Sequence, residues 1–517
     1  AGLAIILKKK NYLFVDGRYT IQAQKQSGKL FEIIEIHKSL PHQILKNLKL
    51  GFDPSLFTVK NLRILFKDSF KLKPINKNLI DYIYRLKKQK IKKFFSIKKH
   101  IVGESYKSKL NKIAKILKKQ KSDYLFVSAP ENVAWVLNIR GSDSMYSPIP
   151  NSRLIIGKNK QIYLITEEKK ATKILKEKKI KKKQIISPEH FSDLVKTLKG
   201  DKFIIDENSC SVLNEKIIES KFKVINKNDP CYKLKAIKNS SEIKNMINTH
   251  VEDGAALTKF IFWIKNQKNR KITEIDAQNK LEKFRKQNKN YLFPSFNTIA
   301  GTGANGAIVH YKSSKKTNKI IKKNHLFLCD SGGQYKYGTT DVTRTICFSK
   351  HSDSVKNIFT KVLKGHIAVA TNDFSKTNTG KQIDQKARQF LKKDGLDYAH
   401  GTGHGVGFFS NVHEGPQSIS KYNSIKLKEG MILSNEPGYY KKNKYGIRIE
   451  NLIYIKKNKK KLKFENLTLA PIEKDLINYK LLNKNEKDYL FQYHLDVYAK
   501  LSKFLSSNEK KWLARFI

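Results

Sequence analysis

Cysteine is scarce and unpaired by spacing: Cys210, Cys231, Cys329 and Cys347 are the only four in 517 residues, and none stands in a CxxC pair. That excludes a disulfide framework and a thiolate zinc cluster. Two of the four lie in apolar, strand-like runs where a thiol acts as a small hydrophobe, which points to a reducing, cytoplasmic setting. Long apolar runs are missing as well. No segment approaches the roughly 18 residues of a membrane span, and the opening AGLAIILKKKNY has too short an apolar core and the wrong order of charge for a secretory signal. No membrane partner is expected. Acidic residues are outnumbered, 45 against 104 Lys and Arg, for a formal charge of +59 and a pI near 9.9. Such a balance raises nucleic acid as a partner. The lysines are nevertheless spread through every segment among Ile and Asn, as in residues 173–183. Clustered arginines and a recognisable binding module are absent, so the charge reads as a solvated surface and no nucleic-acid partner is expected.

What is present is length enough for two to four domains. Over residues 1–99, strand-like pieces (LAIIL, YLFVDG, FEIIEI) alternate with a helical stretch around Thr58 to Asp68. Residues 100–229 repeat that texture: a helix through Lys109 to Lys119, then YLFVSA, ENVAWVLNI, RLIIG, QIYLIT and KFIIDENS. Both read as α/β domains without clustered catalytic residues. The chain starts at Ala1 and runs almost at once into a strand, as a processed or truncated chain would.

From residue 230 to 517 helices come first. One runs from Ser240 to Gln267, and the next starts at the Thr273-x-x-Asp276 capping pattern. Gly-rich strands follow. The order then recurs, with helices at Val355–Ala370 and Ile383–Lys393, the latter stopped by Gly395, and more Gly-rich strands behind them. Two helix-then-sheet halves predict a pseudo-symmetric α+β domain with a site between the halves. Beyond Asn485, Tyr489, Leu490, Tyr493, Val497 and Leu501 fall on one helical face, suited to packing or self-association.

The chemistry concentrates in this last region. In HLFLCDSGGQYKYGTTDVTRTICF a strand ends in Asp330, a turn follows, and a second strand begins at Asp341. As a hairpin this brings two carboxylates side by side, an arrangement that repels unless a cation lies between them. In YAHGTGHGVGFFSNVHEGP, His400, His404 and His413 alternate with glycines that permit unusual torsions and close approach. Glu436 in ILSNEPGYY and Glu450 in the alternating segment YGIRIEN complete the set. Four carboxylates carry −4 and two divalent cations +4, so charge balance calls for two metals, the requirement for clamping both ends of a hydrolysed bond.

At these motifs, and at VDGRY, AWVLNIRGSD and GANGAIVHY, the sequence resembles the three-domain, cytosolic branch of the Xaa-Pro aminopeptidases. The resemblance implies two creatinase-like α/β domains followed by a pita-bread metallopeptidase domain. It implies that Asp341 and Glu450 bridge two divalent metal ions, Mn2+ by expectation with Zn2+ or Co2+ as substitutes, that Asp330 completes one ion, and that His404 and Glu436 complete the other. Glu436 would also be the general base, His310 and His413 would orient substrate and stabilise the oxyanion, and His400 would shape the pocket. Arg448, on the same strand face as Glu450, would pair with a ligand carboxylate. The expected substrate is a peptide with proline in second place, and the expected assembly a homodimer. The family's first domain has further elements ahead of the strand that LAIIL matches, so an N-terminal portion is expected to be missing. The rival activities are an Xaa-Pro dipeptidase, a methionine aminopeptidase, which the two leading domains disfavour, metal-free creatinase-like hydrolysis, and a non-catalytic binding protein of the same fold.

Overall fold

The structure, a computed structural model, describes residues 2–75, 77–84, 91–267 and 271–517. Ala1, on which the expectation about the chain's start rests, lies outside them. The contacts define two compact units: Gly2–Asp16 with Leu30–Lys235, and Gly17–Lys29 with Ala236–Ile517. Among the described residues no helix is long and apolar enough to cross a membrane.

The first unit is α/β. Gly2–Ile6 pairs antiparallel with Asn11–Val15, which pairs parallel with Phe31–Glu35. The helix Val59–Phe66 links a parallel pair, Leu48–Phe52 and Phe70–Pro74, and buries Leu62 and Phe66 beside Phe14 and Phe70. A six-stranded mixed sheet runs in the order Ile185–Ile186, Ile162–Ile165, Arg153–Gly157, Tyr124–Val127, Lys202–Ile205, Lys223–Asn226. Its central strands are continuous apolar runs because both faces are covered. Helix Tyr106–Lys119 buries Leu110, Ile113, Ala114 and Leu117, one face at helical spacing, and is N-capped by Ser105, whose side chain accepts from Ser108 N.

The second unit repeats a helix pair followed by strands. Helices α1 (Ser240–Lys265) and α2 (Glu274–Lys286) lead to the antiparallel sheet β1 (Ile299–Thr302), β2 (Phe327–Ser331), β3 (Val342–Ile346). Helices α3 (Asp353–Ala370) and α4 (Gly380–Lys392) lead to β4 (Gly403–Gly405), β5 (Glu414–Ile419), β6 (Ile432–Asn435), the hairpin β7 (Gly438–Lys441) and β8 (Tyr445–Arg448), then β9 (Asn451–Asn458) and β10 (Lys461–Asn466). Their main sheet has the order β5-β4-β6-β9-β10. The halves match in detail. Both α2 and α4 open with a capping box at a threonine: Thr273 with Asp276, Thr379 with Gln382. Each capping threonine also makes an isolated antiparallel bridge, Thr273 to Ile320 and Thr379 to Lys426. Helix α5 (Lys484–Leu501) buries Leu490, Tyr493, Val497 and Leu501 in the cluster that holds Phe359 and Leu363 of α3. Of the two uses the helical face suggested, packing within the unit is the one seen.

Two local expectations need correction. Glu450 is not inside an alternating strand. It sits between β8 and β9, where the chain leaves the two-stranded hairpin for the main sheet, and it is 1% exposed. Arg448 therefore ends β8 and does not share a strand face with Glu450. The glycines around His404 do not work by unusual torsion either, since none of Gly401, Gly403, Gly405 and Gly407 has a positive φ. They allow close approach: a Cβ on Gly403 would collide with the Ser434 carbonyl, and one on Gly405 with the Glu414 carbonyl.

Candidate metal centre

Asp330 and Asp341 meet by a longer route than a plain hairpin. Between β2 and β3 the chain detours through Gly333–Tyr335 and Gly338–Thr339, which belong to another sheet with Tyr291–Pro294. Asp330 lies opposite Thr343, and Asp341 immediately precedes β3. His404 comes from β4, where the ladder to β5 shifts register between His404 and Gly405. Glu436 follows β6 directly, held by its N–H on the Thr402 carbonyl at 2.8 Å. Strand ends from both halves thus deliver the five side chains to one place.

Their donor atoms form overlapping clusters within 4.8 Å: Asp330, Asp341 and Glu450; His404, Glu436 and Glu450; and Asp341, His404 and His413. Asp341, His404 and Glu450 each take part in two. Burial, with repulsion from neighbouring carboxylates, pushes the carboxyls of Asp341 and Glu450 far above the usual range, and burial also raises that of Glu436. Arg448 supplies one positive charge, with Nη2 2.5 Å from Asp330 Oδ2. The other Asp330 oxygen, Oδ1, is buried without a hydrogen-bond partner.

The residues fit two cations on grounds internal to the site. His404 Nδ1 lies 2.9 Å from the Gly405 carbonyl, so Nδ1 carries the proton and Nε2 is a lone-pair donor. That Nε2 faces Asp341 Oδ2 at 3.4 Å and Glu436 Oε1 at 3.5 Å. Three electron-pair donors directed at one another suit a cation. Two such clusters sharing Glu450, with the unsatisfied Asp330 Oδ1 in the first, match two divalent ions.

The supporting contacts orient the ligands. Thr343 Oγ1 donates to Glu450 Oε2 at 2.7 Å, and Ser434 Oγ to Glu436 Oε1 at 3.1 Å. Arg448 Nη1 donates to Tyr440 O–H at 2.6 Å, so that hydroxyl donates onward to His400 Nε2 at 2.8 Å. His400 Nδ1 meets the Gly401 carbonyl at 2.8 Å, and burial together with Arg448 lowers its pKa to about 3, so it stays neutral.

These groups line a cavity of about 690 Å³ with apolar walls at Phe296, Ile299, Val309 and Val412. The structure places every expected residue there: Asp330, Asp341, His404, Glu436 and Glu450 together, with His310, His400, His413 and Arg448 around them. His413 packs edge-on to His404 at 4.0 Å between centroids, and His404 with burial lowers its pKa to about 2. His310 Nδ1 lies 2.9 Å from Tyr19 O–H.

Tyr19, Arg18 and Gln22 correct the expectation that residues 1–229 carry no chemistry, for they line the same cavity within the same compact unit. Their motif VDGRY stands out only by resemblance; nothing in its composition marks a site. Glu414 and Tyr440 were also missed. Glu414 forms an ion pair with Lys238 at 2.6 Å, both 1% exposed, directly after His413.

Strand ends that converge carboxylates and one imidazole on a cavity define a metal-dependent hydrolase. Residues 244–457 match metallopeptidase family M24, residues 86–242 the creatinase/prolidase N-terminal domain, and residues 460–516 the C-terminal region of peptidase M24. A probable Xaa-Pro aminopeptidase P of Laccaria bicolor is 37% identical, covering all of this chain and 85% of the relative. A protein of the same name from Coprinopsis cinerea is 35% identical, with 90% of the relative covered. The solved X-prolyl aminopeptidase of Caenorhabditis elegans, described as a cytosolic enzyme with a di-nuclear active site, superposes with TM-score 0.90 at 29% identity, over 99% of this chain and 89% of that one. A prolidase from Pyrococcus horikoshii reaches TM-score 0.57 at 25% identity over 71% of this chain. The chain belongs to the Xaa-Pro aminopeptidase P family of M24 metallopeptidases. The expected fold class, creatinase-like α/β domains ahead of a pita-bread catalytic domain, holds.

Proposed function

We propose that this chain is a metal-dependent aminopeptidase that removes the first residue from peptides with proline in second place. The observation that carries the metal chemistry is the inward-facing His404 Nε2 between two carboxylates. The proline preference rests on the names of relatives at 35–37% identity. The dipeptidase alternative is weaker, because the prolidase superposes with TM-score 0.57 against 0.90 for the X-prolyl aminopeptidase.

Asp330, Asp341, His404, Glu436 and Glu450 hold two divalent ions, with Mn2+ favoured by the oxygen-rich set and Zn2+ or Co2+ accepted. When bound, the ions supply Lewis acidity to the scissile carbonyl and lower the pKa of the attacking water. Glu436 lines the cavity, so it is placed to take the water's proton and pass it to the departing proline nitrogen. His310 and His413 are placed to hydrogen-bond the substrate and the developing oxyanion. His400, kept neutral, fixes the Tyr440 hydroxyl and with it the cavity wall. A cytoplasmic homodimer is the accompanying proposal, with three domains bounded near residues 99 and 229.

The test strips the protein with a chelator, restores Mn2+ or Zn2+, and follows release of the first residue from Xaa-Pro-Xaa and Xaa-Ala-Xaa peptides. Turnover is expected only with metal and preferentially on the proline peptide. Glu436→Gln is expected to lower kcat by at least about 10²-fold with the fold intact, the range for a general base. Turnover without metal sinks the centre, and equal rates on the two peptides sink the specificity.

A further inference from the structure

Glu274 is a buried carboxylate of the catalytic unit that the chemistry above does not use. It is 0% exposed and sits in the first turn of α2, just inside the Thr273 cap. Among the described residues no lysine or arginine pairs with it; N–H and O–H donors surround it instead. Oε1 accepts from Thr302 N at 2.8 Å and Asn305 Nδ2 at 3.0 Å. Oε2 accepts from Tyr311 O–H at 2.8 Å, Lys319 N at 3.1 Å and Asn305 Nδ2 at 3.1 Å. The Glu274 N–H returns a bond to the Lys319 carbonyl at 3.0 Å.

These partners belong to one segment. Residues 303–319 leave β1 and return at the Thr273–Ile320 bridge, with a single 3-10 turn, Gly303–Ala307, as regular structure. The segment lacks a sheet ladder of its own to fix its shape, and its tip carries His310 and Tyr311 into the cavity. Glu274 grips the segment where it leaves β1 (Thr302), after its first turn (Asn305), beside His310 (Tyr311) and at its end (Lys319). Thr317 tightens the same knot, its carbonyl accepting from Asn305 Nδ2 at 3.0 Å. A carboxylate whose bonds go to one irregular loop bearing a cavity histidine, and to the strand residue Thr302 from which that loop departs, is placed to set that histidine's position.

We infer that Glu274 is a positioning residue which, through the 303–319 segment, holds His310 in register with the peptide; this rests on the function proposed for the site. Glutamine is close to glutamate in shape but presents an NH2 where the carboxylate accepts from N–H groups, so one or more of these bonds becomes a clash of donors. The metal ligands lie elsewhere and keep their arrangement.

The experiment compares wild type, Glu274→Gln, His310→Asn and the double variant, all loaded with Mn2+. It measures metal content, kcat/KM on an Xaa-Pro-Xaa peptide, and backbone hydrogen exchange over residues 303–319. Glu274→Gln is expected to retain wild-type metal content, to exchange faster in 303–319, and to lose at least tenfold in kcat/KM. In the His310→Asn background it is expected to cost less than a further twofold, a non-additivity that a merely structural role would not produce. Should Glu274→Gln fail to fold, Tyr311→Phe removes a single donor and is expected to show a loss of a few fold that also vanishes in His310→Asn. Additive losses, or wild-type exchange and kcat/KM, overturn the role of Glu274. A wild-type protein that cleaves no proline peptide overturns the proposed substrate instead, and loop exchange still reads Glu274 directly.

Discussion

Arg448 makes the demands on single residues in this site concrete. Its planar fork reaches Asp330 Oδ2 at 2.5 Å, Tyr440 O–H at 2.6 Å and, through Nε, Thr343 Oγ1 at 3.0 Å, while it is 1% exposed. Lysine brings the same charge but cannot hold three acceptors in those directions. Arg448→Lys is therefore expected to weaken metal affinity or kcat/KM by roughly 10–100-fold, the usual effect of removing a partner that orients a ligand. Metal titration followed by peptide assay checks this, and unchanged affinity and turnover would remove Arg448 from the ligand support. The proposed metal ligands were legible in the sequence because charge must balance: the four carboxylates Asp330, Asp341, Glu436 and Glu450 call for cations. Residues that act by shape were not legible. Tyr440 is an ordinary strand tyrosine until the fold brings it 2.8 Å from His400, and Tyr19 lies 291 positions from the histidine it meets.

At the scale of elements, caps and stops read well because they are local. Thr273 and Thr379 cap their helices, and Gly395, at φ +70, follows α4 as expected. Strand boundaries near the site read poorly, since tertiary contacts set them: Glu450 falls in the gap between β8 and β9, and two short strands leave the expected hairpin for another sheet. Helix α5 carries a pH-dependent term no sequence pattern marks. His494 is 2% exposed, and its Nε2 accepts from Ile472 N at 3.1 Å. Burial first, then Arg344 and Lys474, lower its pKa to about 3, against about 6.5 in an unfolded chain. Its folded pKa is depressed, so its contribution to stability is full above pH ~6.5 and is lost as pH falls toward 3. His366, also lowered to about 3, behaves the same way. Thermal unfolding between pH 7 and 4 is expected to show a falling midpoint, with a shallower fall in His494→Gln, whose amide oxygen still accepts from Ile472. Parallel curves for the two proteins would discard this assignment.

For the molecule as a whole, the proposed metal site carries a stability cost. The Asp341 carboxyl is buried among Asp330, Glu436 and Glu450, with Arg448 and Arg285 favouring its charge. Without cations that repulsion opposes folding. With them, binding to the folded state alone stabilises by RT ln(1 + [L]/Kd), about 2.7 kcal/mol at a hundredfold excess over Kd. Asp341→Asn removes one charge from the cluster and one ligand from the centre, so its effect on thermal unfolding should change sign with metal. In chelator the variant is expected to melt a few degrees above wild type, about 1–2 kcal/mol of relieved repulsion at roughly 2–4 °C per kcal/mol. In saturating Mn2+ wild type is expected to melt higher, because the variant gains less from binding. A variant less stable than wild type under both conditions would mean that Asp341 serves the fold and not the charge balance of the centre.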